Sequence, residues 1–253
     1  MTEPTTRAGR PVWVDLSTSD AAAARAFYSD VLGWDVEVEQ DQQYGGYAMA
    51  RSAGVDVAGI GPAQPGGPTA WALYLLTDDA AALGERVAAA GGSVVMPAMT
   101  VGDVGKMAIL ADPAGAVFGA WEPNTMAGFH TGVPGSFGWA ELNARGIGRD
   151  LDFYHSVFGW DLDPMAMPDG GVYTRLGLDG VNFGGAMEMH AGMPAEMPSY
   201  WLVYFAVDSV EETFSRALAA GGSQILPPMP MPGGRFAILR DPQGAAFAVL
   251  TGD

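Results

Sequence analysis

The chain has no cysteine among its 253 residues, which removes disulfides, zinc–cysteine sites, iron–sulfur clusters and a thiol nucleophile. Histidine is scarce. The three are scattered at His130, His155 and His190, and His190 with Glu188 is the nearest approach to a displaced metal site. Basic residues are also few: 12 Lys and Arg stand against 29 Asp and Glu, a formal charge of −17 that argues against nucleic acid and anionic membranes as partners. No apolar run approaches the roughly 18 residues of a membrane span. The polar start lacks the apolar core of a signal peptide, so a cytoplasmic location is expected. Nucleophile elbow, phosphate loop, dinucleotide fingerprint and zinc-helix motifs are missing as well.

What is present is a repeat. Phe27-Tyr28…Val31-Leu32-Gly33-Trp34 returns as Phe153-Tyr154…Val157-Phe158-Gly159-Trp160, 126 residues further on, and each copy reads as an amphipathic helix stopped by glycine. Trp139-Ala140-Glu141-Leu142 answers Trp13-Val14-Asp15-Leu16 at that same offset, and Tyr173 answers Tyr47. Beyond the loop Met187 to Ser199 the offset grows to 130, where Trp201-Leu202-Val203-Tyr204 answers Trp71-Ala72-Leu73-Tyr74. Arg235 to Gly244 matches Lys106 to Gly115. The chain is an internal duplication.

Within each copy the pattern is βαβββ twice. In the first, Pro11 to Ser17 alternates as a strand, Ser17 to Asp20 offers N-caps, and Ala21 to Leu32 is a helix. Trp34 to Glu39, Tyr47 to Arg51 and Val55 to Ile60 follow as short strands. A second round starts at Trp71 to Thr77, continues through a helix over Ala80 to Ala90, and ends with strands at Val94 to Met96, Lys106 to Ala111 and Ala116 to Trp121. The expected division is a domain over 1–122, a Pro- and Gly-containing linker over 123–133 and a second domain over 134–253.

The motif order resembles the vicinal oxygen chelate (VOC) superfamily, which includes glyoxalase I, extradiol dioxygenases and bleomycin-type resistance proteins. Phe27-Tyr28…Leu32-Gly33 and Phe153-Tyr154…Phe158-Gly159 carry the resemblance, together with Asp112-Pro113-x-Gly115 and Asp241-Pro242-x-Gly244. It implies an α+β fold of two tandem VOC domains, each with two βαβββ units forming a cupped sheet. Its metal-dependent members place ligands at positions that fall here on Trp13 and Trp139, Trp71 and Trp201, Gly119 and Ala248, and Gly59 and Gly185. Indole and glycine offer a cation nothing, so no metal and no cofactor is expected.

Trp13, Trp71, Trp139 and Trp201 are then candidates for stacking a flat or apolar ligand, with the alternative that they plug the cups. Met165, Met167, Met187, Met189, Met193, Met197, Met229 and Met231 supply adaptable thioethers in the second copy's loops, for a variable ligand or for packing. Asp15 and Glu141 lie two residues beyond Trp13 and Trp139, on the same strand face, where an apolar setting would suit a general acid or base. Lys106 and Arg235 are candidate partners for those carboxylates or for an anionic ligand.

The resulting expectation is a metal-independent protein that binds a small organic molecule, aromatic or apolar, as a sequestering or detoxifying agent. The competing class is a glyoxalase-type lyase or isomerase, or a hydroxylase-like tailoring enzyme, using Asp15 and Glu141. Expected partners include neither nucleic acid nor membrane, and the duplication suggests a monomeric pseudo-dimer or a homodimer.

Overall fold

The computed structural model describes residues 7–167 and 170–252. Four βαβββ modules follow one another along the chain. Module one is β1 (Pro11–Thr18), α1 (Ala21–Leu32), β2 (Asp35–Val38), β3 (Ala48–Ser52) and β4 (Val55–Pro62). Module two is β5 (Ala70–Leu76), α2 (Ala80–Ala89), β6 (Ser93–Val101), β7 (Gly105–Ala111) and β8 (Val117–Pro123). Module three comprises β9 (Phe137–Ala144), α3 (Ile147–Phe158), β10 (Asp161–Ala166), β11 (Val172–Leu178) and β12 (Val181–Glu188). Module four comprises β13 (Tyr200–Ala206), α4 (Val210–Ala219), β14 (Ser223–Met231), β15 (Gly234–Arg240) and β16 (Ala246–Gly252).

The α+β fold expected from the duplication is therefore present, with one eight-stranded sheet per copy. Strand order is β2-β3-β4-β1-β5-β8-β7-β6 in the first and β10-β11-β12-β9-β13-β16-β15-β14 in the second. The copies agree strand for strand.

Local chemistry sets the helix limits. Asp20 accepts from the Ala23 amide, Asp79 from Ala81 and Ala82, and Ser209 from Glu212, satisfying amides that a helix start leaves free. The start of α3 has glycine at its cap, and the Glu188 carboxylate from β12 substitutes by accepting from Gly146 and Ile147 at 2.8 to 3.0 Å. Glu188 is thus a helix cap, not half of a displaced metal site. Strand β6 runs longer than its sequence suggests, because Pro97 lies on an edge strand, where a missing amide breaks no ladder. The register shifts on either side of Met96 absorb the irregularity.

Packing divides the chain differently from its sequence. One compact unit contains Met1–Val12, Leu73–Ala127 and Ala140–Trp201; the other contains Trp13–Ala72, Gly128–Trp139 and Leu202–Asp253. Each unit therefore joins one module from each copy. In the unit holding modules one and four, Trp71 Nε1 donates to the Tyr28 hydroxyl at 2.9 Å, and Tyr28 donates to Asp241 Oδ2 at 3.0 Å. In the unit holding modules two and three, Trp201 donates to Tyr154 at 2.9 Å and Tyr154 to Asp112 Oδ2 at 3.2 Å.

The helix motif of one copy is hydrogen-bonded to the Asp-Pro-x-Gly turn of the other. Burial raises both tyrosine pKa values well above the usual range, and the adjacent aspartate charge raises them further, so both phenols stay neutral donors. Phe247 meets Tyr28 edge-on at 5.3 Å, and Trp160 stacks on Tyr154 at 4.6 Å, each unit thereby building an aromatic core around its relay.

One buried group breaks the symmetry. Asp150 on α3 is fully buried, where α1 carries the buried Ala24 at the matching place, and its Oδ2 has no hydrogen-bond partner. Oδ1 accepts from Ala114 at 3.1 Å. Burial first, and the Asp112 charge second, raise its pKa from 3.8 to about 6; Arg149 opposes this, and Glu188 adds to it.

Because the folded value is the higher one, folding favours the protonated form. That stability is fully present below the ordinary value and is lost as pH rises through about 6. Between about pH 4 and pH 7 the wild type should lose on the order of 2–3 kcal/mol from this group, and Asp150→Asn should lose none of it. Urea unfolding of both proteins across that range checks the difference.

Candidate functional site

Directly paired strand residues share a sheet face, so the register places the site residues. In module one, Glu37 pairs with Met49, Met49 with Gly59, and Gly59 with Asp15, a row crossing four strands. Trp13 and Tyr47 lie one step along on the same face, and the Trp13 indole donates to the Tyr47 hydroxyl at 2.8 Å. Trp13 is buried, while Asp15 and Tyr47 are half-buried. Burial raises the Tyr47 pKa well above the usual phenol range, the nearby Asp15 charge adds to it, and the indole hydrogen bond partly offsets both.

In module three the corresponding row is Asp163, Arg175, Gly185 and Glu141. Beside it runs Met165, Tyr173, Met187 and Asn143. Glu141 is 9% exposed and accepts from Asn143 Nδ2 at 3.1 Å, which orients the carboxylate. Tyr200 carries a raised pKa, from burial first and from the Glu141 charge second. Trp139, two residues before Glu141, is half-buried.

The four tryptophans occupy two kinds of place. Strand alternation puts Trp13 and Trp139 on the faces of Asp15 and Glu141. Trp71 and Trp201 instead pack edge-on against Tyr28 and Tyr154 of the helices, at 5.2 and 5.5 Å, and their N–H groups complete the buried relays. Lys106 lies 2.7 Å from Glu122 and Arg235 lies 2.5 Å from Glu211, both as exposed pairs. Those pairs are solvent-screened surface features that contribute little to stability.

The family's metal positions explain themselves sterically. A Cβ on Gly59 would collide with the Tyr47 phenol, one on Gly185 with the Tyr173 phenol, and one on Gly119 with the Tyr74 ring. Ala248 pairs directly with Tyr204. A tyrosine ring thus lies across, or directly opposite, each of these four places. The residues present do not fit a divalent ion there, and among the described residues no three His, Cys, Asp or Glu side chains are grouped to hold one. The Tyr47–Tyr173 match at the 126-residue offset carried this signal in the sequence, although only the register shows what the rings cover. Asn143 and Arg175 carried no such signal, since the first copy has Ser17 and Met49 in their places.

A groove of about 830 Å³ lies in the unit of modules one and four, lined by Gly33, Ser52, Pro134, Ser209, Glu212 and Arg216 among others. Its lining includes none of Trp13, Asp15 and Tyr47.

Comparison with known proteins agrees with this architecture. The model of the glyoxalase/bleomycin resistance protein/dioxygenase superfamily matches twice, over residues 10–119 and 136–249. The chain belongs to that superfamily and comprises two tandem VOC domains. It is 40% identical to the putative glyoxylase CFP32 of Mycobacterium tuberculosis (strain CDC 1551 / Oshkosh), over 96% of this chain and 95% of that protein. It is also 40% identical to the anthracycline biosynthesis protein DnrV of Streptomyces peucetius, over 96% of this chain and 93% of that protein.

Among solved structures, the Mn(II)-bound glyoxalase from Novosphingobium aromaticivorans superposes with a TM-score of 0.69 at 18% identity, covering 97% of this chain and 82% of that one. The 2,3-dioxygenase LapB from Pseudomonas sp. KL28 does so at 0.67 and 16%, covering 98% and 94%. At such identities the likeness is one of fold.

The steric account has a direct test. Gly59→Ala and Gly119→Ala should each destabilise the protein by about 1–3 kcal/mol, because the added methyl must displace a tyrosine ring. Gly148→Ala, on the helix α3 with open space around it, should be neutral or stabilising by about 0.5–1 kcal/mol. Denaturant midpoints of the three variants decide between them.

Proposed function

We propose that this chain is a metal-independent, cytoplasmic binding protein for a small organic molecule of aromatic or apolar character, which it sequesters or detoxifies. The observation that carries this reading is the set of tyrosine rings over Gly59, Gly119 and Gly185. They replace a cation's ligands with phenol and ring surface, a lining suited to organic ligands. Trp13 and Trp139 serve as stacking surfaces in this reading, and Asp15 and Glu141 as the polar groups that orient the ligand. Trp71 and Trp201, Lys106 and Arg235 contribute to it through packing and surface charge. The two domains, over 1–122 and 134–253 with 123–133 between them, act as an internal pseudo-dimer. The glyoxylase and anthracycline-biosynthesis names of the 40% identical relatives support a small organic ligand.

A second reading rests on Glu141. A carboxylate that is 9% exposed, held by Asn143 and near the charge-sensitive Tyr200, suits proton transfer. On that reading the chain is a lyase, an isomerase or a hydroxylase-like tailoring enzyme acting on a reactive carbonyl or an aromatic metabolite.

Two measurements test the first reading. Elemental analysis of the purified protein should find no stoichiometric Ni, Zn, Fe or Mn, and finding one would overturn the metal-independent assignment. Trp13→Ala and Trp139→Ala should each weaken quenching of tryptophan fluorescence by aromatic ligands at least about fivefold in affinity, as loss of about 1 kcal/mol of ring contact requires. Mass spectrometry of co-purifying molecules identifies the ligand class, and turnover of that molecule abolished by Glu141→Gln would favour the enzyme.

A further inference from the structure

The groove in the unit of modules one and four lies where one helix ends and another begins. Leu32 and Gly33 bring the end of α1 into its lining, and Asp208, Glu212 and Arg216 bring the start and middle of α4. At about 830 Å³ it has the volume of a small-molecule site. Ser52 and Thr213, both buried, add hydroxyl groups to the lining.

Its electrostatics favour a cation. Glu211 is already paired with Arg235 at 2.5 Å, and Arg216 turns its Nη2 to the Thr213 hydroxyl at 3.4 Å. Asp208 and Glu212 are exposed, and among the described residues neither carboxylate is in an ion pair. Both suit the positive end of α4, a role that uses their charge and leaves their oxygens available. The end of α1 adds to them: a helix leaves its last carbonyls without intrahelical partners, and the partial negative charge there attracts cations. No basic residue stands in the last turn of α1 to answer it.

The second copy shows what such a helix end takes. Gly159 stops α3 as Gly33 stops α1, and Arg7 Nη2 lies 4.0 Å from where a Gly159 Cβ would stand; among the described residues, nothing beyond its chain neighbours lies within 4 Å of that place at Gly33. The adjoining segments are built alike. Arg10 donates its amide to Arg7 O as Ser136 does to Val133 O, and Gly9 donates to Leu76 O as Gly135 does to Ala206 O. Yet Arg7 and its partner Asp179 are answered, 126 residues away in each case, by Val133 and Ala53. Asp78 and Arg86 match Asp208 and Arg216, whereas Ala82 stands in place of Glu212. Phe158 and Leu178 replace Leu32 and Ser52, so the unit with the groove has the smaller residues at both places.

We propose that this groove is a binding site for a small organic cation, whose ammonium group sits at the end of α1 with Asp208 and Glu212 as its counter-charges and whose carbon body lies against Leu32 and Val207. The ligand's charge takes the place that Arg7 fills beside α3. Because the groove shares no residue with the faces of Trp13 and Trp139, the site is independent of the function proposed above. A formal charge of −17 on the chain adds a general attraction for cations, screened by salt.

The test uses naphthylmethylamine and naphthalenemethanol, which share a ring system and differ in the charged nitrogen, titrated calorimetrically into the full chain at neutral pH and low salt. Wild type should prefer the amine, and added salt should narrow the preference. Asp208→Asn combined with Glu212→Gln, which keeps the size of both side chains, should lower amine affinity about fivefold or more and leave the alcohol unaffected. Unchanged helical circular dichroism shows that this variant is folded. Val133→Arg, which supplies from the chain the cation that Arg7 supplies beside α3, should lower amine affinity about threefold with both carboxylates intact. Arg216→Gln, which removes a competing cation, should raise it.

A wild type that binds both probes equally, or that does not bind the amine, overturns the site and leaves the proposed function standing. So does a preference that survives in the double variant. Amine affinity unmoved by Val133→Arg overturns the placement of the charge at the end of α1.

Discussion

The structure depends on a buried relay made twice: an indole N–H to a tyrosine hydroxyl, and that hydroxyl to an aspartate. Trp71, Tyr28 and Asp241 form one, and Trp201, Tyr154 and Asp112 the other. Each aspartate also accepts backbone amides of its own turn, so the turn and the helix of the opposite copy are fixed through a single carboxylate. A buried polar group left without its partner costs more than a formed hydrogen bond contributes. The relay therefore constrains which modules pack together as well as how tightly. It accounts for the Phe-Tyr and Asp-Pro-x-Gly motifs recurring as a pair.

A second constraint is steric. Glycine at 59, 119 and 185 is required because tyrosine rings occupy the volume a side chain would need. Ring and glycine form one unit of structure in each case, so reinstating a ligating residue would require removing an aromatic one. The superfamily's fold is retained, with glycines packed under tyrosine rings at these three places. Fold and chemistry separate cleanly here because the strands that build the sheet owe their pairing to backbone hydrogen bonds and to the opposite face.

Duplication then allowed divergence. Among the differences between the copies that carry charge are Asp150 against Ala24 and Arg175 against Met49. The first is buried against another acid with an oxygen left unpartnered, a cost to stability at neutral pH. The second puts a guanidinium directly across from Gly185, whose side-chain volume is taken by the Tyr173 ring. A scaffold whose other copy keeps the neutral residue at each place can accommodate such local departures.

The sequence by itself determined the duplication, the βαβββ order, the helix α1 from Ala21 to Leu32 with its cap somewhere in Ser17 to Asp20, and the α+β architecture, because periodicity and turn chemistry are local properties. The family resemblance, read on the sequence, put Trp, Gly and Ala at the positions where metal-dependent members carry ligands. Tertiary structure decided the rest. Trp71 and Trp201 match Trp13 and Trp139 as residue types, yet their strand faces turn them to the helices, and facing depends on register rather than composition. The partnership of Tyr28 with Asp241 spans more than two hundred residues, beyond any local pattern. Arg175 gave no signal because nothing in the first copy answers it; only strand pairing put it in a row with Gly185 and Glu141. Local sequence specified the modules, and the burial of polar groups among distant modules specified what their surfaces present.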